Sequence, residues 1–185
     1  MGIKTYTVTG LVMTQRTLYE SDQYVDVFTQ EYGKLTVIGR HAKKSKTRQL
    51  PDTCTEASFV LYQGKTLPTV VSSHVVSDFL GIRQQFDRIA MAMHIVGIVR
   101  DVLPLNHPHI GLYQLVRGCL TKLSQMEAIE QVKALFYKRF LQAEGLYCDA
   151  YPLTDRAFQL AFEAYSGKRY VAPLRLHSDC VMMEV

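Results

Sequence analysis

Between Gly33 and Leu50 the chain carries six positive charges, Lys34, Arg40, Lys43, Lys44, Lys46 and Arg48, and no Asp or Glu. The blocks on either side are mixed in sign. A local run of one sign points to a polyanion, because lysines on a loop displace the counterions condensed along a phosphate backbone. The bland reading is a solvated surface loop with no partner. Arg40, Lys43, Lys44, Lys46 and Arg48 are the expected phosphate contacts, with Lys34 and Arg16 further out and Lys65 on a turn at the same mouth. Aromatics among cations would add base stacking at about 1–3 kcal/mol per base. Tyr24, Phe28, Tyr32 and Tyr62 are the candidates. Tyr32, beside a turn, is expected to be exposed, and Phe28 is expected in a core.

Catalytic chemistry has little support. There is no G-x-S-x-G elbow, phosphate-binding P-loop or H-E-x-x-H. Ser73 and His74 are strand neighbours that point to opposite faces, so they cannot work as nucleophile and base. His107-Pro108-His109 has no third ligand nearby. Cys54, Cys119, Cys148 and Cys180 lack C-x-x-C spacing. The sequence predicts no enzyme, no cofactor and no metal, although spacing alone leaves open a metal site assembled from distant residues.

The elements that would position the basic loop follow from periodicity. Alternation predicts strands over Tyr6–Arg16, Asp22–Thr29, Leu35–Arg40, Thr55–Tyr62 and Leu67–Val76. Glu31 to Lys34 reads as a hairpin turn with Gly33 left-handed, and Gln63-Gly64-Lys65 as a tight turn. Five short strands with one charged loop suit an OB-type barrel; an SH3-like barrel has a similar strand count. Near Ser77 the period changes. Apolar residues recur at helical spacing from Phe79 to Leu103, where Pro104 ends the run. Further helices are predicted over Ile110–Leu123, from Ser124 or Gln125 to Glu144, and over Ala157–Ser166, with Thr154 as cap and Gly145 and Gly167 as stops. The last eighteen residues are expected to be irregular. The fold class is α+β: a five-stranded OB-type barrel over residues 1–77 and an all-helical domain over 78–185, packed together because no Gly/Ser/Pro linker separates them.

At 185 residues, 48% hydrophobic and 21% charged, the chain is long enough to bury a core. Its net charge of +4 is modest. Up to Asp78 there are nine Lys and Arg against seven Asp and Glu, so outside the basic run that half is net acidic. No signal peptide or membrane span is visible, and the sequence predicts a cytoplasmic protein.

The run Glu20-Ser21-Asp22, Val25, Phe28-Thr29, Glu31, Gly33-Lys34, Arg40, Ala42-Lys43-Lys44-Ser45-Lys46 and Arg48 resembles the N-terminus of the RecO recombination-mediator family. Phe136–Gly145 followed by Tyr147 resembles its helix-then-L-G-Y segment. Tyr165–Arg169 resembles the end of its C-terminal helix. The family's four-cysteine zinc module is missing, since Cys148 stands alone, and the resemblance therefore implies no metal. It implies a DNA-binding protein of recombinational repair, not an enzyme. Such a protein binds single- and double-stranded DNA and anneals strands. It contacts the acidic, hydrophobic tail of single-strand DNA-binding protein and acts with a RecR-like protein to help load a RecA-type recombinase onto coated single strands. A groove for that tail would be apolar with a cationic rim. Lys133, Phe136, Tyr137 and Arg139 on one helix are its candidates, against the alternative that Phe136 is core. The other class of function is an adaptor whose basic loop docks an acidic protein.

Overall fold

The computed structural model describes residues 5–18, 22–40, 50–64, 66–147 and 152–174. Five strands come first: β1 (Thr5–Leu18), β2 (Asp22–Thr29), β3 (Gly33–Gly39), β4 (Glu56–Tyr62) and β5 (Thr69–Ser77). They close into a barrel in the order β1-β2-β3-β5-β4, as expected for an OB-type fold. β1 is long enough to pair with both β2 and β4, and β3 meets β5 through the single parallel pair Ile38 and Thr69. A bulge between Val12 and Thr14 lets β1 bend around the barrel. Alternation then sorts the side chains. Val8, Val12, Val25, Val27, Leu35, Val37, Phe59 and Leu61 fill the interior.

Gly33 has φ +69°, as the hairpin reading requires. The Thr29 hydroxyl fixes the turn, accepting from the Tyr32 amide at 3.0 Å and donating to the Gly33 carbonyl at 3.0 Å.

Four α-helices follow: α1 (Phe86–Val102), α2 (Ile110–Ser124), α3 (Ile129–Ala143) and α4 (Asp155–Ser166). The helix expected from Phe79 is broken. Leu80–Gln84 forms a separate 3-10 turn, and Gln85 is extended at φ −139°, ψ 132°. The third helix starts later than predicted, because Met126 is left-handed at φ 65°. The buried Arg88 holds that connection, donating to the Leu123 and Glu127 carbonyls at 2.9 Å each. Thr154 caps α4 by accepting from the Ala157 amide at 3.1 Å. Gly145 and Gly167 stop their helices at φ +70° and +66°.

The barrel and the helices share one core. Leu11, Met13 and Phe28 lie on barrel strands yet belong to the helical cluster, and Phe28 meets Tyr113 edge-on at 5.4 Å. Polar groups tie the same seam. The buried Glu56 carboxylate accepts from the Tyr113 hydroxyl at 2.8 Å and from the Arg117 guanidinium at 2.9 and 3.0 Å. Lys34 donates its ammonium to the Arg100 carbonyl at 2.8 Å, and its own carbonyl accepts from the Asn106 amide at 2.9 Å. After α4 the chain is irregular as expected, but it is anchored. Tyr170 packs against His94, Phe158 and Phe162, and its hydroxyl meets that of Tyr137 at 2.6 Å. Among the described residues no helix is long and apolar enough to cross a membrane.

Candidate nucleic-acid interface

The outer face of β1, β2 and β3 is divided in two. At one end the row that pairs Leu11, Phe28 and Lys34 lies beneath the helices, and Leu11 and Phe28 are buried there. At the other end the face is open. Register there pairs Arg16 with Tyr24, Tyr24 with Ile38, Ile38 with Thr69, and Thr69 with Tyr62. This row crosses all five strands. With strands about 4.8 Å apart it spans an arc of roughly 20 Å. Arg40 lies two residues beyond Ile38, at the same outward phase of β3, and is exposed.

The row combines charge with rings. Arg16 has a side chain 63% exposed, and it pairs with Asp26 at 3.2 Å. Asp26 also accepts from the Thr36 hydroxyl at 2.7 Å, so it holds Arg16 over the sheet while offsetting part of its charge. Tyr62 is exposed and Tyr24 and Ile38 are half-buried, which leaves ring and aliphatic surface available to stack on bases.

Lys43, Lys44, Lys46, Arg48 and His41 lie outside the described residues, as does Lys65. The flanks of the basic loop are described. Gly39 packs so closely on the buried Leu50 that an added Cβ would sit 2.4 Å from its Cδ1. The Pro51 carbonyl accepts from the Gln15 side-chain amide. Both described flanks of the loop are thus fastened to the barrel near the open row. The β4–β5 turn reaches the same mouth, since the Pro68 carbonyl accepts from the Ile38 amide at 2.9 Å.

Two expected contacts are placed elsewhere. The Lys34 ammonium is turned into the barrel–helix seam, where burial lowers its pKa and outweighs the opposing pull of Asp26. Tyr32 is exposed as expected, but it stands at the far end of β3, about 26 Å from Arg40 at a strand rise near 3.3 Å per residue, with its ring against Tyr6 at 6.1 Å. Tyr24 and Tyr62 are the aromatics that share a row with Ile38, two residues before Arg40. Alternation marked both as strand residues, but only strand order shows that they share a row.

The partner candidates on α3 also divide. Phe136 and Tyr137 are core residues at 0% and 2% exposure, and Tyr137 stacks on Phe158 at 3.7 Å. Lys133 is buried between Glu130 at 2.6 Å and Asp155 at 2.9 Å. Burial pulls its pKa down, and the hydrogen bonds to these carboxylates outweigh that and raise it. These three face the helical core and do not form the expected groove. Arg139 is exposed, on the rim of a groove of about 410 Å³ between α2 and α3. Leu115, Gly118, Cys119 and Leu135 line this groove, Lys122 adds a second cation that pairs with Glu127 at 3.1 Å, and among the described residues none of the lining is acidic.

Among the described residues no group of His, Cys, Asp and Glu could hold a metal. Cys54 and Cys119 are buried free thiols, and burial pushes both up to about 12. His109 serves α2 as a cap, its Nδ1 accepting from the Leu112 amide at 3.1 Å.

Comparison with known proteins identifies the family. Residues 1–79 match the family described as Recombination protein O N terminal, and residues 83–151 match Recombination protein O C terminal. The chain is 30% identical over 139 residues to the DNA repair protein RecO of Acetivibrio thermocellus, covering 74% of this chain and 55% of that one. It is 28% identical over 145 residues to the DNA repair protein RecO of Syntrophus aciditrophicus, covering 76% and 56%. The chain thus spans about half the length of the curated relatives it matches. With an OB-type barrel matched by the family's N-terminal description and helices α1 to α3 matched by its C-terminal one, this chain belongs to the RecO family.

Proposed function

We propose that the chain is a DNA-binding recombination mediator that binds and anneals single strands and helps load a recombinase onto coated single-stranded DNA. Annealing needs no catalytic group. It needs phosphate charge neutralised so that two polyanions can approach, with base edges left free. The observation that carries the reading is the row from Arg16 through Tyr24, Ile38 and Thr69 to Tyr62, with the ends of the basic loop pinned beside it. OB-type barrels bind oligonucleotides across this strand face and through the adjoining loops. The rows offer rings for stacking, and the loop, with Lys43, Lys44, Lys46 and Arg48, offers cations for phosphate.

For partners, the acid-free groove rimmed by Lys122 and Arg139 suits the acidic, apolar tail of single-strand DNA-binding protein. A RecR-like protein and, indirectly, a RecA-type recombinase complete the reading, which for these two rests on family membership.

The test is fluorescence anisotropy of a labelled single-stranded oligonucleotide across a salt series. Wild type is compared with a variant carrying Lys43→Ala, Lys44→Ala, Lys46→Ala and Arg48→Ala. The expected result is a steep fall of log affinity with log salt, made shallower by about 2–4 in the variant. Equal slopes for the two proteins would sink the proposal.

A further inference from the structure

Between Ile89 and Val99 helix α1 is apolar on nearly every side, and among the described residues nothing covers its outer side. Phe86, Ile89 and Met93 are 42%, 39% and 48% exposed, and Val171 and Leu174, on the strand of chain after α4, are more exposed still. Together they line a groove of about 430 Å³ along the helix. Folded monomers rarely leave so continuous an apolar face to water, and its usual explanation is a docked partner.

The spacing and the charges indicate which partner. Along the outer side Phe86, Ile89, Met93, Gly97 and Arg100 follow one another at steps of three and four, the seam a helix presents to another helix. An added Cβ at Gly97 would meet nothing within 4 Å, so the middle of the seam has room for a facing side chain. The ends of the seam differ in sign. At the N-terminal end of α1 are Asp87 and, in an adjoining pocket that shares Ile89 and Met93, Asp52 and Asp78 against Arg83. At the C-terminal end are Arg100, Lys168 and Arg169 against Asp101. A uniformly acidic peptide would suit only the second end. A second copy laid antiparallel sets each acidic end against a basic one, through the same patch on both chains.

We propose that the outer face of α1 is a two-fold interface at which this chain pairs with a second copy of itself. The face is built from α1 and the chain after α4, and pairing would join two nucleic-acid surfaces in one particle. The proposal does not depend on the function proposed above.

Sedimentation velocity of the full chain across a wide concentration range tests it. Wild type is expected to move toward twice the monomer mass as concentration rises. Met93→Glu is expected to stay monomeric. Arg169→Glu, which reverses the basic end of the seam, is expected to weaken pairing. Unchanged helical circular dichroism shows that each variant is folded, and Ile89→Lys replaces Met93→Glu if that variant is not. A wild type that stays monomeric at every concentration overturns the proposal, as does a folded Met93→Glu that pairs like wild type. A labelled acidic, apolar peptide is titrated in parallel. If it binds a monomeric wild type and not Met93→Glu, the groove belongs to a peptide partner and the proposal fails.

Discussion

The ammonium of Lys34 donates to the backbone carbonyl of Arg100 at 2.8 Å, so a residue of the barrel caps the C-terminal end of the first long helix. The next carbonyl, that of Asp101, accepts from Lys168 at 3.0 Å. Two lysines thus satisfy carbonyls that the helix leaves without internal partners, at the pole where a cation is favoured. Replacing Lys34 with Met should cost about 1 kcal/mol, modest because the group is only half-buried. Urea denaturation would measure this, and the salt slope of DNA binding should not change. A slope lowered by about one unit would return Lys34 to the phosphate contacts.

The Glu56 carboxylate, with its side chain 5% exposed, depends on Tyr113 and on the half-exposed Arg117. The two obvious substitutions should differ in cost. Arg117→Met leaves the buried charge with one neutral donor and should cost about 2–3 kcal/mol, below the usual range for a broken buried pair because water reaches Arg117. Glu56→Gln removes the charge itself and should cost less. Thermal unfolding of both variants checks the order, and the reverse order would mean that the carboxylate is better hydrated than its burial indicates.

His94 is buried between α1 and the chain after α4, meeting the Tyr137 hydroxyl at 2.9 Å and that of Tyr170 at 3.4 Å. Burial lowers its pKa from 6.5 to about 4, against a hydrogen bond with the Val171 backbone that raises it. Between these values the unfolded chain takes up a proton that the folded chain refuses. Stability is therefore whole above pH 6.5 and declines as pH falls toward 4, by at most about 1.4 kcal/mol per unit from this group. His94→Gln should flatten that part of the stability profile. Parallel profiles for the two proteins would remove His94 as the cause.

If bases stack on the open row, Tyr24→Ala and Tyr62→Ala should each weaken single-strand binding by about 1–3 kcal/mol and leave the salt slope unchanged. Tyr32→Ala, at the other end of β3, should bind like wild type. Anisotropy at fixed salt separates the three, and an effect confined to Tyr32 would place the DNA at the opposite end of the barrel.

Much of this fold is legible in the sequence because it is local. Alternation locates the strands to within two residues, and Gly33, Gly145 and Gly167 mark three left-handed positions, whereas those at Cys54, Phe79, Asn106 and Met126 carry no such signal. What is hidden depends on distant chain. Nothing near Gln85 announces a break, because Arg88 fastens that turn to carbonyls from the α2–α3 connection. Lys34 reads as part of a basic run, and only the nearness of α1 diverts it. Phe136 and Arg139 look like one surface in sequence, whereas the helix turns the first into the core and the second to water. The row that joins Arg16 to Tyr62 exists only because the barrel closes.

The sharing of Leu11, Met13 and Phe28 between barrel strands and helical core has a consequence for biosynthesis. The barrel strands leave the ribosome well before α2, which must cover them. At about 5–20 residues per second the nascent barrel waits on the order of several seconds with an apolar flank bare. The earliest folded intermediate of this chain is therefore a sticky one. A chain terminated just after β5 should be held by chaperones or aggregate, although every strand of its barrel has already been made.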